Sequence, residues 1–143
     1  MNYSEFYSEL GKLLYAVADI DKVITRKEKE KLLEIVTTEL VPVEEHTDRF
    51  GTDAAHYSEI EFDFLDEQVA DAQSAFESFI DFVEEHRTAI NGKLMNVCLT
   101  VSKELAAAYR GTTRKEKNLI EKLRKGLEHI RAENEAIPSV RKQ

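Results

Sequence analysis

The sequence predicts an all-α fold of five or more amphipathic helices in a compact bundle. Three observations carry this expectation. Apolar residues recur at spacings of three and four, the helical period, along nearly the whole chain. The 143 residues include only 5 Gly and 2 Pro, too few for the turns of a β-sandwich or for a phosphate-cradling Gly loop. Two Thr-x-x-Glu segments, at Thr25 and Thr113, have the form of a capping box. In such a box the Thr hydroxyl accepts from the Glu amide, and the Glu carboxylate reaches back to the Thr amide.

The elements follow in order. Phe6, Leu10, Leu13, Leu14 and Val17 share one face of a first helix over about 4–18. The capping residues Thr25 and Glu28 open a second helix, with Leu32, Leu33, Val36 and Leu40 as its stripe and Pro42 as its stop. Residues 42–58 carry Pro42, Gly51 and scattered polar groups and read as a connecting loop. A long acidic helix is expected over about 63–88, with Leu65, Val69, Ala72, Phe76, Phe79, Ile80 and Val83 on one side. Its start is ambiguous. Phe62 and Phe64 alternate with acids as in a short strand, while Ser58 to Glu61 has the form of another capping box. Asn91-Gly92 marks a turn. Leu94, Val97, Cys98, Val101, Leu105 and Ala108 define a fourth helix that ends near Gly111. The fifth opens at its caps Thr113 and Glu116 and carries Leu119, Ile120, Leu123, Leu127 and Ile130. Residues 1–137 thus read as one domain and 138–143 as a flexible tail.

An internal echo runs through this pattern. Thr25-Arg26-Lys27-Glu28-Lys29 recurs letter for letter as Thr113-Arg114-Lys115-Glu116-Lys117, 88 residues further on. At that offset Leu13 meets Val101, Val17 meets Leu105, Ala18 meets Ala106 and Leu32 meets Ile120. Two related helix hairpins, about 4–40 and 93–132, joined by the acidic helix, account for it.

Charge is unevenly placed. The total is −8, from 20 Lys and Arg against 28 Asp and Glu. Between Phe50 and His86 there is no Lys or Arg and there are 11 acids, whereas Arg110 onwards has 10 bases and 5 acids. The expectation is a solvated acidic face or an acidic helix beside basic ones. The net acidity argues against general nucleic-acid binding, as does the lack of aromatics interleaved with the bases of the fifth helix. No run of apolar residues is long enough to span a bilayer, and residues 1–20 do not have the form of a secretory leader. A cytoplasmic protein is expected.

Candidate sites are few. One Cys excludes an intramolecular disulfide and any Cys-rich zinc cluster, and Cys98 lies within an apolar stripe. Asp19, Asp21 and Glu30 match positions 1, 3 and 12 of a calcium loop, but Val23 and Ile24 break that pattern, which leaves a looser divalent-cation site around Asp19 and Asp21. His56, with Asp48, Asp53, Glu59 and nearby His46, could ligate a metal from the 42–58 loop and support a metal-dependent hydrolase. No spacing fixes such a geometry, and no nucleophile motif occurs. The chain is therefore expected not to be an enzyme.

The stretch from Leu13 to Glu28, LLYAVADIDKVITRKE, resembles the TerB-like family of tellurite-resistance domains. Its Ala-rich helix, acidic turn at Asp21, Ile24 and Glu28 fit the family pattern, with Lys22 where the family commonly has Gly. The resemblance implies an all-helical fold with two related halves, a stress-response or interaction role, and metal binding through acids, here Asp21 and Glu28. The expectation is thus a non-enzymatic helical module with weak divalent-cation binding and no firm cofactor. The alternative is an adaptor or homo-oligomer that meets a protein partner through the Leu65–Val83 stripe or the basic fifth helix. No small-molecule substrate is indicated.

Overall fold

The computed structural model describes residues 3–20, 30, 34, 48–90, 92–107 and 114–136. The fold is all-α. Among the described residues it comprises α1 (Tyr3–Asp19), α2 (Asp48–Glu67), α3 (Ala72–Glu85), α4 (Gly92–Ala107) and α5 (Arg114–Ala136). The second expected helix falls largely outside these residues, and so do Asp21, Thr25, Glu28 and Thr113.

Helix α1 is the hub, in contact with each of the other four. Its sequence explains why. Leu13 through Ala18 are all buried, a run of six that covers every direction around the helix axis rather than one stripe. Each fully buried Leu or Val contributes roughly 1.5–3 kcal/mol relative to an exposed one. Opposite α1, Phe76, Phe79 and Val83 of α3, Leu94, Cys98, Val101 and Leu105 of α4, and Leu119, Leu123, Leu127 and Ile130 of α5 close the core. The echoed positions are buried alike: Leu13 and Val101, Val17 and Leu105, and Ala18 and Ala106 are each at most 4% exposed.

Helices α1 and α2 approach each other closely, and two small residues permit it. A Cβ on Gly11 would stand 2.6 Å from the carbonyl oxygen of Ser58. The Ser58 hydroxyl, fully buried, donates to the Tyr7 carbonyl at 2.7 Å. Tyr15 adds an edge-on contact with Phe62, their ring centroids 5.8 Å apart, and its hydroxyl donates to the Ala70 carbonyl at 2.6 Å.

Two expectations change here. Residues 48–58 are not a loop but the first half of α2, so Ser58 lies inside a helix and Phe62 and Phe64 are helical rather than a strand. The single helix expected over 63–88 is two helices, because α2 stops at Glu67. Backbone bonds from Ala70 to Leu65 (3.0 Å) and from Val69 to Asp66 (3.1 Å) close a Schellman turn. Asp71 then caps α3, accepting from the Ser74 amide at 2.9 Å. The turn places Val69 at φ 52, the left-handed position that Gly ordinarily fills. With Val in that place and no Gly or Pro nearby, the sequence carries no sign of a break.

Candidate functional site

The break at Val69 changes which apolar residues face water. Within α2, Ser58 and Phe62 turn inward, and Leu65 packs against the core. Tyr57, Ile60 and Phe64, at i, i+3 and i+7, occupy the opposite face and are 43%, 64% and 51% exposed. Val69, in the turn after α2, is also exposed, at 83%. These four are the large hydrophobic side chains left in solvent among the described residues. By contrast, the Leu65–Val83 stripe, one of the two expected contact surfaces, is largely internal: Phe76, Phe79 and Val83 are at most 5% exposed.

The face is bracketed by acids. At 100° per residue, Asp63 and Glu67 project along one flank of the stripe and Glu61 along the other. Glu61 and Tyr57 also line an open groove of about 430 Å³ between α1, α2 and α3, together with Glu5, Glu9, Lys12, Phe82, Glu85 and His86. An adjoining hollow adds Glu77 and Asp81. The groove's one cation is already engaged: Lys12 lies 2.9 Å from a Glu9 carboxylate oxygen and donates to the Ser78 hydroxyl at 3.2 Å. The α3 acids Glu77, Asp81, Glu84 and Glu85 make no ion pair among the described residues.

The basic helix does not neutralise them. In α5, Arg124 is held by Glu121 and Glu128 of its own helix, the latter at 2.7 Å, and this pairing lowers the Glu121 carboxyl and raises the guanidinium. Where α3 meets α5, the contacts are Lys122 over the Phe76 ring, 5.7 Å from its centroid, and Ile80 beside Gly126. The α3 acids are thus a solvated face, the simpler of the two expected arrangements.

Of the sequence-derived ligands Asp19, Asp21 and Glu28, only Asp19 lies among the described residues. Asp19 ends α1, half-buried, near the Tyr15 hydroxyl. Burial first, then the Asp19 carboxylate, then Asp66 and Asp71, push that phenol up to about 12. Among the described residues no three metal-ligating side chains come together. His56 lies on α2 rather than on a loop, exposed, with Glu59 at 3.9 Å. Asp48 and Asp53 belong to the same helix, and His46 lies outside the described residues. Cys98 is buried, and burial pushes its thiol up to about 12, so thiolate chemistry has no footing there at neutral pH. Of the expected caps, Glu116 is only 5% exposed in the first turn of α5.

Sequence reasoning missed the α2 face because it placed residues up to 58 in a loop and took Val69 for a core position. The available signal was the apolar content itself. Tyr57, Ile60, Phe62, Phe64 and Leu65 are more than one helix stripe can hold, so one face had to be left over. No helix among the described residues is long and apolar enough to cross a membrane. No family model matches the chain, and no curated protein or solved structure matches it.

Proposed function

We propose that the chain is a non-enzymatic helical interaction module whose working surface is the outer face of α2. One observation carries this reading: among the described residues, the large hydrophobic side chains left exposed lie between Tyr57 and Val69, on one helix and the turn that ends it. Solitary exposed apolar residues are ordinary, but a gathered set marks a contact surface. The stress-associated role implied by the TerB-like resemblance is compatible with such a module and rests on the Leu13–Glu28 pattern alone.

A photoreactive benzoyl-phenylalanine tests the reading when placed at Ile60 and, as a control, at exposed Glu128 of α5. A discrete adduct from position 60 and none from 128 is the expected result. No adduct from 60, or the same adducts from both, rejects it.

Weak divalent-cation binding is the second reading. It rests on Asp19, Asp21 and Glu28 of the sequence pattern, of which Asp19 lies among the described residues, half-buried at the end of α1. Calorimetric titration with Ca²⁺, Mg²⁺, Mn²⁺ and Zn²⁺, wild type against Asp19→Asn, decides it. Binding heat that the variant loses supports the site, and no heat from any ion removes it.

A further inference from the structure

We infer that the outer face of α2 receives a basic amphipathic helix from another polypeptide. The inference rests on the reading of that face as an interaction surface and assigns the chemistry of its occupant. Tyr57, Ile60 and Phe64 span two helical turns, about 10 Å, which matches the anchor spacing of a helix laid along a helix. Asp63 and Glu67 run beside them on one flank and Glu61 on the other. Arg49 lies in the first turn of α2, and from Phe50 to His86 the sequence supplies no Lys or Arg to offset them. An apolar stripe between two acidic rails is complementary to a helix with an apolar stripe between two basic ones.

The same charges weigh against other occupants. A second copy docked α2 to α2 would bring Glu61, Asp63 and Glu67 against their own equivalents. A second copy docked through α5 would offer bases but no exposed large apolar side chain. An anionic bilayer would be repelled.

Val69 supplies an independent argument. A β-branched residue at φ 52 carries a strain cost that Gly would not. Its side chain is 83% exposed, so packing within the chain returns little of that cost. A contact outside the chain gives the side chain a use.

The test uses the full chain and a fluorescein-labelled peptide of about 18 residues, with Leu at helical i, i+3, i+4 and i+7 positions and Lys elsewhere. One control peptide replaces every Lys by Glu, and another replaces every Leu by Ser. Only the Leu/Lys peptide should raise the anisotropy. Ile60→Ser/Phe64→Ser should weaken its binding by about tenfold or more, since central apolar anchors dominate such contacts. Asp63→Asn/Glu67→Asn should weaken it less and flatten its dependence on salt. All four positions are exposed, so the variants retain the core.

Equal binding of the Ser-containing peptide, or unchanged binding by Ile60→Ser/Phe64→Ser, would overturn the inference. A wild-type dimer in light scattering that this variant abolishes would give the face to a second copy. Co-sedimentation with phosphatidylcholine vesicles, lost in the variant, would give it to lipid. If position 60 crosslinks to a partner but the Leu/Lys peptide does not bind, the occupant is wrong and the interaction surface stands. If position 60 does not crosslink either, the surface itself falls.

Discussion

Helices α1 and α2 lie against each other yet use their apolar residues in opposite ways. In α1 almost everything apolar is consumed: Phe6, Leu10, Leu13, Leu14 and Val17 are all 0% exposed, and each of the other four helices among the described residues touches it. In α2 the inner face is modest, with Ser58, Phe62 and Leu65 toward the core, while Tyr57, Ile60 and Phe64 face water. The hub helix gives its outward direction to polar residues, Glu5, Glu9 and Lys12, so its hydrophobicity is explained by folding. A peripheral helix has one too, and apolar residues placed there have no role in the fold. Hydrophobicity in α1 therefore reports stability, and on the outer side of α2 it is free for the contact proposed above.

Neighbouring substitutions on α2 should separate these two uses most sharply. Phe62→Ala removes a side chain that is 0% exposed and should cost about 3–5 kcal/mol in urea denaturation, through lost transfer energy and a cavity. Ile60→Ser, two residues away and 64% exposed, should change stability by no more than about 0.5 kcal/mol. Similar losses from both would mean that Ile60 is part of the core, and the contrast between the two faces would collapse.

A smaller effect tests how closely the two helices approach. Gly11→Ala puts a methyl 2.6 Å from a backbone oxygen of α2, which cannot swing aside as a side chain would. Spreading the pair should cost about 1–3 kcal/mol. A variant as stable as the wild type would show that α2 is free to shift on α1.

Val69→Gly runs the other way. Removing the strained Cβ at φ 52 should stabilise the chain by about 1 kcal/mol, net of the greater freedom Gly gives the unfolded state. Thermal unfolding at a lower temperature than wild type would show that the exposed valine supports the fold after all.

The smallest effect at neutral pH concerns Tyr15, which ties α1 to the turn after α2. Its hydroxyl is raised from 10.0 to about 12, so the folded chain holds that proton more tightly than the unfolded one. The stabilisation is complete below pH 10 and is lost as pH rises through about 12. Tyr15→Phe should leave the neutral-pH profile nearly flat and remove that alkaline loss. An unchanged alkaline limb in a pH series of urea denaturations would assign it to other groups.

The legible parts of this molecule are those whose signals are local. The Phe6–Val17 stripe, the Leu94–Leu105 stripe and the Leu119–Ile130 stripe each repeat at the helical period, and the structure buries them as that period requires. The Schellman turn at Val69 was hidden because its usual mark, Gly, is replaced by a residue of strand-like preference. Asp71 was hidden because one more acid in a row of acids looks like a solvated position until its bond to Ser74 is seen. The opening of α2 was hidden because Gly51 and polar residues imitate a loop, while the contact that steadies the helix, Ser58 on Tyr7, comes from 51 residues away.

The sequence by itself determined that the chain is helical, where most of its buried stripes run, and that its negative charge is concentrated between Phe50 and His86. These properties follow from spacing and composition, which neighbouring residues settle among themselves. Only the tertiary structure decided which of two apolar faces on α2 turns inward, and that the acids of α3 face solvent rather than α5. A helix with two apolar faces cannot choose between them locally. The choice falls to the small surfaces of Gly11 and Ser58, which let one side approach α1 closely and leave the other side out.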